Sequence, residues 1–189
     1  MLTVCGSLVR QNEKMVKAMR DASPDILMDV HLCVERPARY VTSLVKGGAT
    51  SIIFQFEAVK NIDEALDLAR KIKANGAFAG VSINPSTPVK DIEPLLRSKL
   101  FDIIDILAVE PGFGGQTFQP SSLSKLEELA SLKAQKGLEV HLMIDGGMNS
   151  HTSTLAIAAG ADILVAGTFL FRNEAGIARG KQLLLGSSG

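Results

Sequence analysis

Short apolar runs alternate with longer stretches of helical spacing along the whole chain. Each run is partly β-branched and ends in a polar or glycine-containing turn, the pattern of a buried strand followed by an amphipathic helix. Strands are predicted at residues 26–34, 51–57, 78–84, 103–109, 140–145 and 163–167. Helices are predicted at about 9–20, 38–46, 62–75, 89–96, 122–135, 150–159 and 174–184. The punctuation agrees. Gly47, Gly48, Gly76, Gly137 and Gly160 follow helical runs, and Asn61 and Asn173 stand where N-caps belong.

Strands that alternate with helices imply parallel pairing through right-handed crossovers. Near-continuous apolar strands fit both an open doubly wound sheet and a (β/α)8 barrel. The strand ends favour the barrel. His31, Glu57, Asn84, Glu110, Asp145 and Gly167 fall at or near the C-terminal ends of different strands, where such a barrel assembles its site. About six strands are counted and the chain opens on a helix. The expectation is therefore one TIM-type α/β phosphate-binding barrel domain over residues 1–189, incomplete at the N-terminus.

Composition narrows the function classes. Lys and Arg total 20, as do Asp and Glu, so no basic field argues for nucleic acid. Residues 155–171 form the most apolar stretch, but Gly160, Asp162 and Gly167 interrupt it, so no membrane span is expected. Cys5 and Cys33 have no metal spacing and suggest no disulfide framework, which places the chain in the reducing cytoplasm.

The candidate chemistry lies in the turns. Gly146 and Gly147 follow one strand, and Gly167 and Thr168 end the next. Barrels commonly hold a phosphate with the loops after their last two strands; the alternative is that these glycines only make tight turns. Residues 110–116, Glu-Pro-Gly-Phe-Gly-Gly-Gln, form a glycine-rich loop in which Phe113 could cover a substrate; the alternative is an ordinary flexible turn. Asp145 closes an apolar strand, where partial desolvation suits a general base; the alternative is a cap or turn aspartate. His31 lies in an apolar strand with Asp29 two residues earlier on the same face. It reads as a metal ligand or as a satisfied core histidine. His141 and His151 look incidental. Lys60 and Lys90 lie beyond strand ends in polar surroundings, which argues against Schiff-base chemistry.

Val-Glu-Pro-Gly-Phe-Gly-Gly-Gln (109–116), Ile-Asp-Gly-Gly (144–147), Asp-Val-His-Leu-Cys-Val (29–34) and Val-Ala-Gly-Thr (165–168) resemble, in order and spacing, the motifs of ribulose-phosphate 3-epimerases. The resemblance implies an isomerase of the pentose phosphate pathway and carbohydrate metabolism, interconverting ribulose 5-phosphate and xylulose 5-phosphate through a metal-assisted enediolate. It implies a divalent metal, zinc or iron with manganese or cobalt as alternatives, held by two His and two Asp. By that resemblance His31 and Asp145 are metal ligands and Asp145 is also the catalytic base. Gly112, Phe113, Gly114 and Gly115 cover the substrate. Gly146, Gly147, Gly167 and Thr168 cradle its phosphate, and His31 and Asp145 complete the substrate site. The implied partner is a small sugar phosphate, with a homo-oligomer expected.

The departures are specific. The family's His-x-Asp pair, which supplies one histidine ligand and the other catalytic aspartate, has no counterpart here, so only two of the four ligands are matched. Gln55 stands where the family often has His, and Cys33 and Leu107 where it has methionines. The implied activity is therefore impaired, since losing one acid–base partner costs about 10²–10⁴-fold. The competing reading is a non-catalytic phosphosugar-binding or interaction protein derived from the enzyme.

Overall fold

The computed structural model describes residues 2–5, 9–112 and 115–186, with side chains from residue 14 onward within those ranges. Seven strands form one sheet whose spatial order follows the chain: β1 (Leu2–Cys5), β2 (Met28–Leu32), β3 (Ser51–Gln55), β4 (Phe78–Ile83), β5 (Ile103–Leu107), β6 (His141–Asp145) and β7 (Ile163–Val165). Parallel registers are explicit for β1–β2, β2–β3, β3–β4 and β6–β7. A doubly wound sheet reverses its strand order at a switch point. This order never reverses, which is the strand order of a β/α barrel. The predicted strands are present with trimmed ends, and β1 is a seventh that the pattern did not predict.

The chain divides into two compact units, Met1–Ser82 with Ile92–Ile103, and Ile83–Asp91 with Ile104–Gly189. In the first, α1 (Val9–Ala22), α2 (Val41–Lys46), α3 (Ile62–Ala74) and α4 (Glu93–Arg97) accompany the early strands. Every residue of β2 and β3 is buried, as expected of parallel strands covered on both faces. Val16, Leu44, Leu68, Ile72 and Leu95 supply the helical side of that core. The N-cap Asn61 accepts a hydrogen bond from the Glu64 N–H at 2.9 Å. Two predicted helices begin later than the pattern suggested. A 3-10 turn precedes each, Pro37–Arg39 before α2 and Val89–Asp91 before α4.

The second unit carries α5 (Ser121–Lys136), α6 (Ser150–Ala158), α7 (Thr168–Phe171) and α8 (Gly176–Leu184). Leu126, Leu129, Leu142, Met143, Ile144 and Ala156 are buried. Helix α5 ends at Gly137 in the left-handed conformation, φ +58°, with its N–H on the Lys133 carbonyl. Helix α6 opens on a capping box between Asn149 and Thr152. Asn173 is not the N-cap of α8, which Ala175 provides without a side-chain bond. Its side chain instead accepts from the Ala175 N–H, closing the turn before the helix.

One device recurs at the N-terminal ends of strands. The Asp102 N–H donates to the Ala79 carbonyl while its carboxylate accepts from the Ala79 N–H and from Lys73. Asp162 does the same with Leu142 and Lys133. Each aspartate satisfies a strand-opening N–H and fixes where the next strand starts, a stabilising role at the face opposite the chemistry.

Candidate active site

Asp145 is the last residue of β6 and half-buried, immediately before the turn that follows. Its carbonyl accepts from the Ala108 N–H at 2.7 Å, and the Ala108 carbonyl accepts from the Gln119 N–H at 2.8 Å. These bonds tie the strand end to the foot of the 110–119 loop. Asp105 lies in the middle of β5, fully buried between Ile104 and Ile106. A carboxylate oxygen of Asp105 lies within 4.8 Å of one of Asp145.

Two carboxylates this close, one of them fully buried, call for a compensating positive charge or a shared proton. Carboxylate oxygens are donors that zinc, iron and manganese sites use, together with imidazole. The pair therefore fits a divalent cation.

In the first unit, His31 is buried in β2, and Asp29 of the same strand is 3% exposed. Asp29 accepts a hydrogen bond from the Ser51 hydroxyl, and its Oδ2 has no partner among the described residues. Burial pushes its carboxyl up to about 6.

The glycine turns converge in the second unit. Register places Asp145 opposite Val165, so Gly147 stands two residues beyond one strand position and Gly167 two beyond its neighbour. A Cβ on Gly146 (φ +110°) would meet Val109 at 2.6 Å, and one on Gly147 (φ +65°) would meet the Phe118 backbone at 2.7 Å. A Cβ on Gly115 would lie 3.8 Å from the Thr168 hydroxyl. Gly146 and Gly147 are thus required by packing and backbone angle. Gly167 is different: its φ is −86°, and nothing lies within 4 Å of the place a Cβ would take. Neither φ nor packing demands glycine there, and the open space adjoins the start of the short helix α7. Gly112 (φ +149°) and Gly115 flank Phe113 and Gly114, which lie outside the described residues.

The sequence pattern of the Ribulose-phosphate 3 epimerase family matches residues 9–171. The chain belongs to that family. It is 39% identical over 158 residues to the ribulose-phosphate 3-epimerase of Bacillus subtilis (strain 168), covering 83% of this chain and 70% of the relative. With the Escherichia coli (strain K12) ribulose-phosphate 3-epimerase it shares 38% over 157 residues, 83% and 68% of the two chains. Membership makes it an isomerase by kinship, of a family acting on sugar phosphates. Among solved structures, 3-hexulose-6-phosphate synthase from Salmonella typhimurium superposes with a TM-score of 0.71 at 15% identity, over 98% of this chain and 87% of that one. A thiamine phosphate pyrophosphorylase from Pyrococcus furiosus gives 0.63 at 12% identity, over 99% and 82%. Those two likenesses speak for the barrel-type fold alone.

Against the family's motifs, Asp105 is the residue that sequence reasoning missed. Strand ends draw the eye in a barrel, whereas this aspartate sits inside an apolar strand. The available signal was its cost: a carboxylate between isoleucines must be compensated. Gln55 is buried, and Leu107 closes β5, also buried. His141 and His151 are exposed. Among the described residues no helix is long and apolar enough to cross a membrane.

Proposed function

We propose that this chain carries out metal-assisted 3-epimerisation of a ketose 5-phosphate, D-ribulose 5-phosphate to D-xylulose 5-phosphate, as a single barrel-type domain. The observation that supports this most is the close pair of carboxylates, Asp105 fully buried and Asp145 at its strand end. The pair would hold a divalent ion, for which the family's motif also names His31 as a ligand. The ion would supply Lewis-acid stabilisation of developing negative charge on the substrate oxygens. Asp145, half-buried, takes the proton from C3. The amides of Gly146, Gly147 and Gly167, with the Thr168 hydroxyl, receive the phosphate, since loops after the late strands and a short extra helix are the usual phosphate site of such barrels. Gly112 and Gly115 shape the substrate's cover.

The rate is low in this 189-residue chain, because the sequence holds no His-x-Asp pair to supply the second acid–base partner. Self-association accompanies it. That inference is supported by half-exposed β7 and by exposed Phe171, Ile177 and Leu185 in the same unit. A cytosolic setting suits the thiol form of Cys33.

A coupled assay for D-xylulose 5-phosphate with zinc or ferrous ion tests the reading. Turnover is expected to be measurable but below about 1 s⁻¹, the low end of ordinary enzymes, and lost in Asp145→Asn. Product formation unchanged by Asp145→Asn would overturn it.

A further inference from the structure

Lys125 lies in the second turn of α5, half-buried, and its side chain reaches away from its own helix. Its ammonium donates to three backbone carbonyls: Asn84 at 2.9 Å, Pro85 at 2.6 Å and Thr87 at 2.5 Å. An ammonium has three donors, and here three acceptors from one four-residue turn converge on it. The turn is also closed on itself, the Thr87 N–H donating to the Asn84 carbonyl at 3.1 Å.

The position of this turn gives the clamp its meaning. Asn84 directly follows β4, so residues 84–87 form the turn leaving the C-terminal end of that strand. The next strand, β5, contains Asp105 and leads into the 110–119 loop. Helix α5 starts just beyond that loop. The loop's foot is fixed by the Gln119 N–H on the Ala108 carbonyl and by the Ser122 hydroxyl on the Gln119 carbonyl. Lys125 is one turn further on. It joins the helix that follows the β5 loop to the turn that follows β4. Neighbouring strands are about 4.8 Å apart, so the spacing of these two outgoing turns decides what fits between them.

Peptide planarity adds a second effect. The chain has no cis peptide among the described residues. In a trans peptide the carbonyl and the following N–H point in opposite directions. With the Pro85 carbonyl held by Lys125, the Ser86 N–H is turned away from α5. Pro85 offers no N–H, and that of Thr87 is used inside the turn. Between Asn84 and Thr87, exposed Ser86 is therefore the remaining main-chain donor, and Lys125 fixes its direction.

We infer that Lys125 is a positioning residue for substrate binding. Its ammonium donates to the protein's own carbonyls, and it acts by holding the 84–87 turn against the foot of the β5 loop. The inference rests on the epimerase reading above. A loss confined to binding separates it from a purely structural role, which would lower stability and leave KM alone.

The test measures KM and kcat for D-ribulose 5-phosphate in the full chain, with Lys125→Met and Lys125→Arg. Lys125→Met keeps the length and apolar stem but removes the donors. It should raise KM about tenfold with kcat within about threefold, the signature of lost ground-state and transition-state binding alike. Lys125→Arg keeps the charge, but its planar fork matches three convergent carbonyls less well, so KM should rise by an intermediate factor. If Lys125→Met fails to fold, the arginine variant carries the test. Unchanged KM in whichever variant folds overturns the role. A wild-type chain with neither turnover nor substrate binding instead removes the epimerase reading, and this inference with it; the two failures are distinguished by the wild-type control.

Discussion

Replacing Gly147 with alanine separates two costs that a glycine turn can conceal. Gly147 has φ +65°, and an added Cβ would stand 2.7 Å from N, Cα and Cβ of Phe118. Gly137 has nearly the same angle, φ +58°, but nothing lies within 4 Å of its added Cβ. A left-handed backbone costs alanine roughly 1–2 kcal/mol at either position. Only at residue 147 must the methyl also displace main chain, and overpacking typically adds about 1–3 kcal/mol. The Phe118 backbone cannot yield easily, because the adjacent Gln119 N–H is bonded to Ala108. Gly147→Ala should therefore be less stable than Gly137→Ala by roughly 2 kcal/mol, the middle of the overpacking range. Urea unfolding reads this directly: at an m-value of about 2 kcal/mol/M the two midpoints should differ by about 1 M, with m unchanged. Coincident midpoints would refute the reasoning, because the close approach at Phe118 would then carry no cost.

Three further outcomes are expected. Gly167→Ala should change stability by less than about 1 kcal/mol, since its φ is negative and nothing lies within 4 Å of the added Cβ. The same variant should raise KM for the phosphorylated substrate, and an unaltered KM would remove Gly167 from the phosphate site. Asp29 has a folded-state pKa raised from 3.8 to about 6, so its contribution to stability is present below pH 3.8 and lost as pH rises through 6. In chelated buffer, Asp29→Asn should gain about 3 kcal/mol relative to wild type between pH 4 and 7, at about 1.4 kcal/mol per unit; a pH-independent difference in urea midpoints would contradict this. Asp162 behaves oppositely. Burial alone would raise its pKa, but hydrogen bonds from Lys133 and the Leu142 N–H outweigh that and hold it below the ordinary value. Its contribution is present above the unfolded pKa and lost as pH falls through the folded one. Asp162→Asn should cost about 1 kcal/mol at pH 7, discounted for partial exposure, with the gap in urea midpoints closing toward low pH. A gap that holds constant on acidification would count against the ion pair.

Much of the fold was legible because its strands are buried on both faces. The apolar runs around Val30, Ile53, Val81 and Ile144 leave no other reading once helices intervene. Glycine turns were legible for a related reason: Gly146 and Gly147 occupy backbone angles that other residues avoid. What escaped was short or nonlocal. Strand β1 has four residues and exists through its parallel pairing with β2, from Leu2 opposite Met28 to Cys5 opposite His31. Helix α7, Thr-Phe-Leu-Phe, has too few residues to display a helical period. Strands β3 and β7 are among those that end earlier than their apolar runs, Phe56 and Ala166 having already left the ladder. Asp105 escaped because its neighbour Asp145 is 40 positions away in sequence, and only the folded chain brings the two carboxylates together.

Epimerisation at C3 begins with removal of the C3 proton, and a chain with one well-placed base can do this even where inversion is slow. Proton NMR of D-ribulose 5-phosphate in D₂O with the metal-loaded chain follows that step alone. Enzyme-dependent loss of the C3–H signal is expected, faster than D-xylulose 5-phosphate appears, and none with Asp145→Asn. A C3–H signal that persists with the wild-type chain, or fades equally with Asp145→Asn, would contradict it.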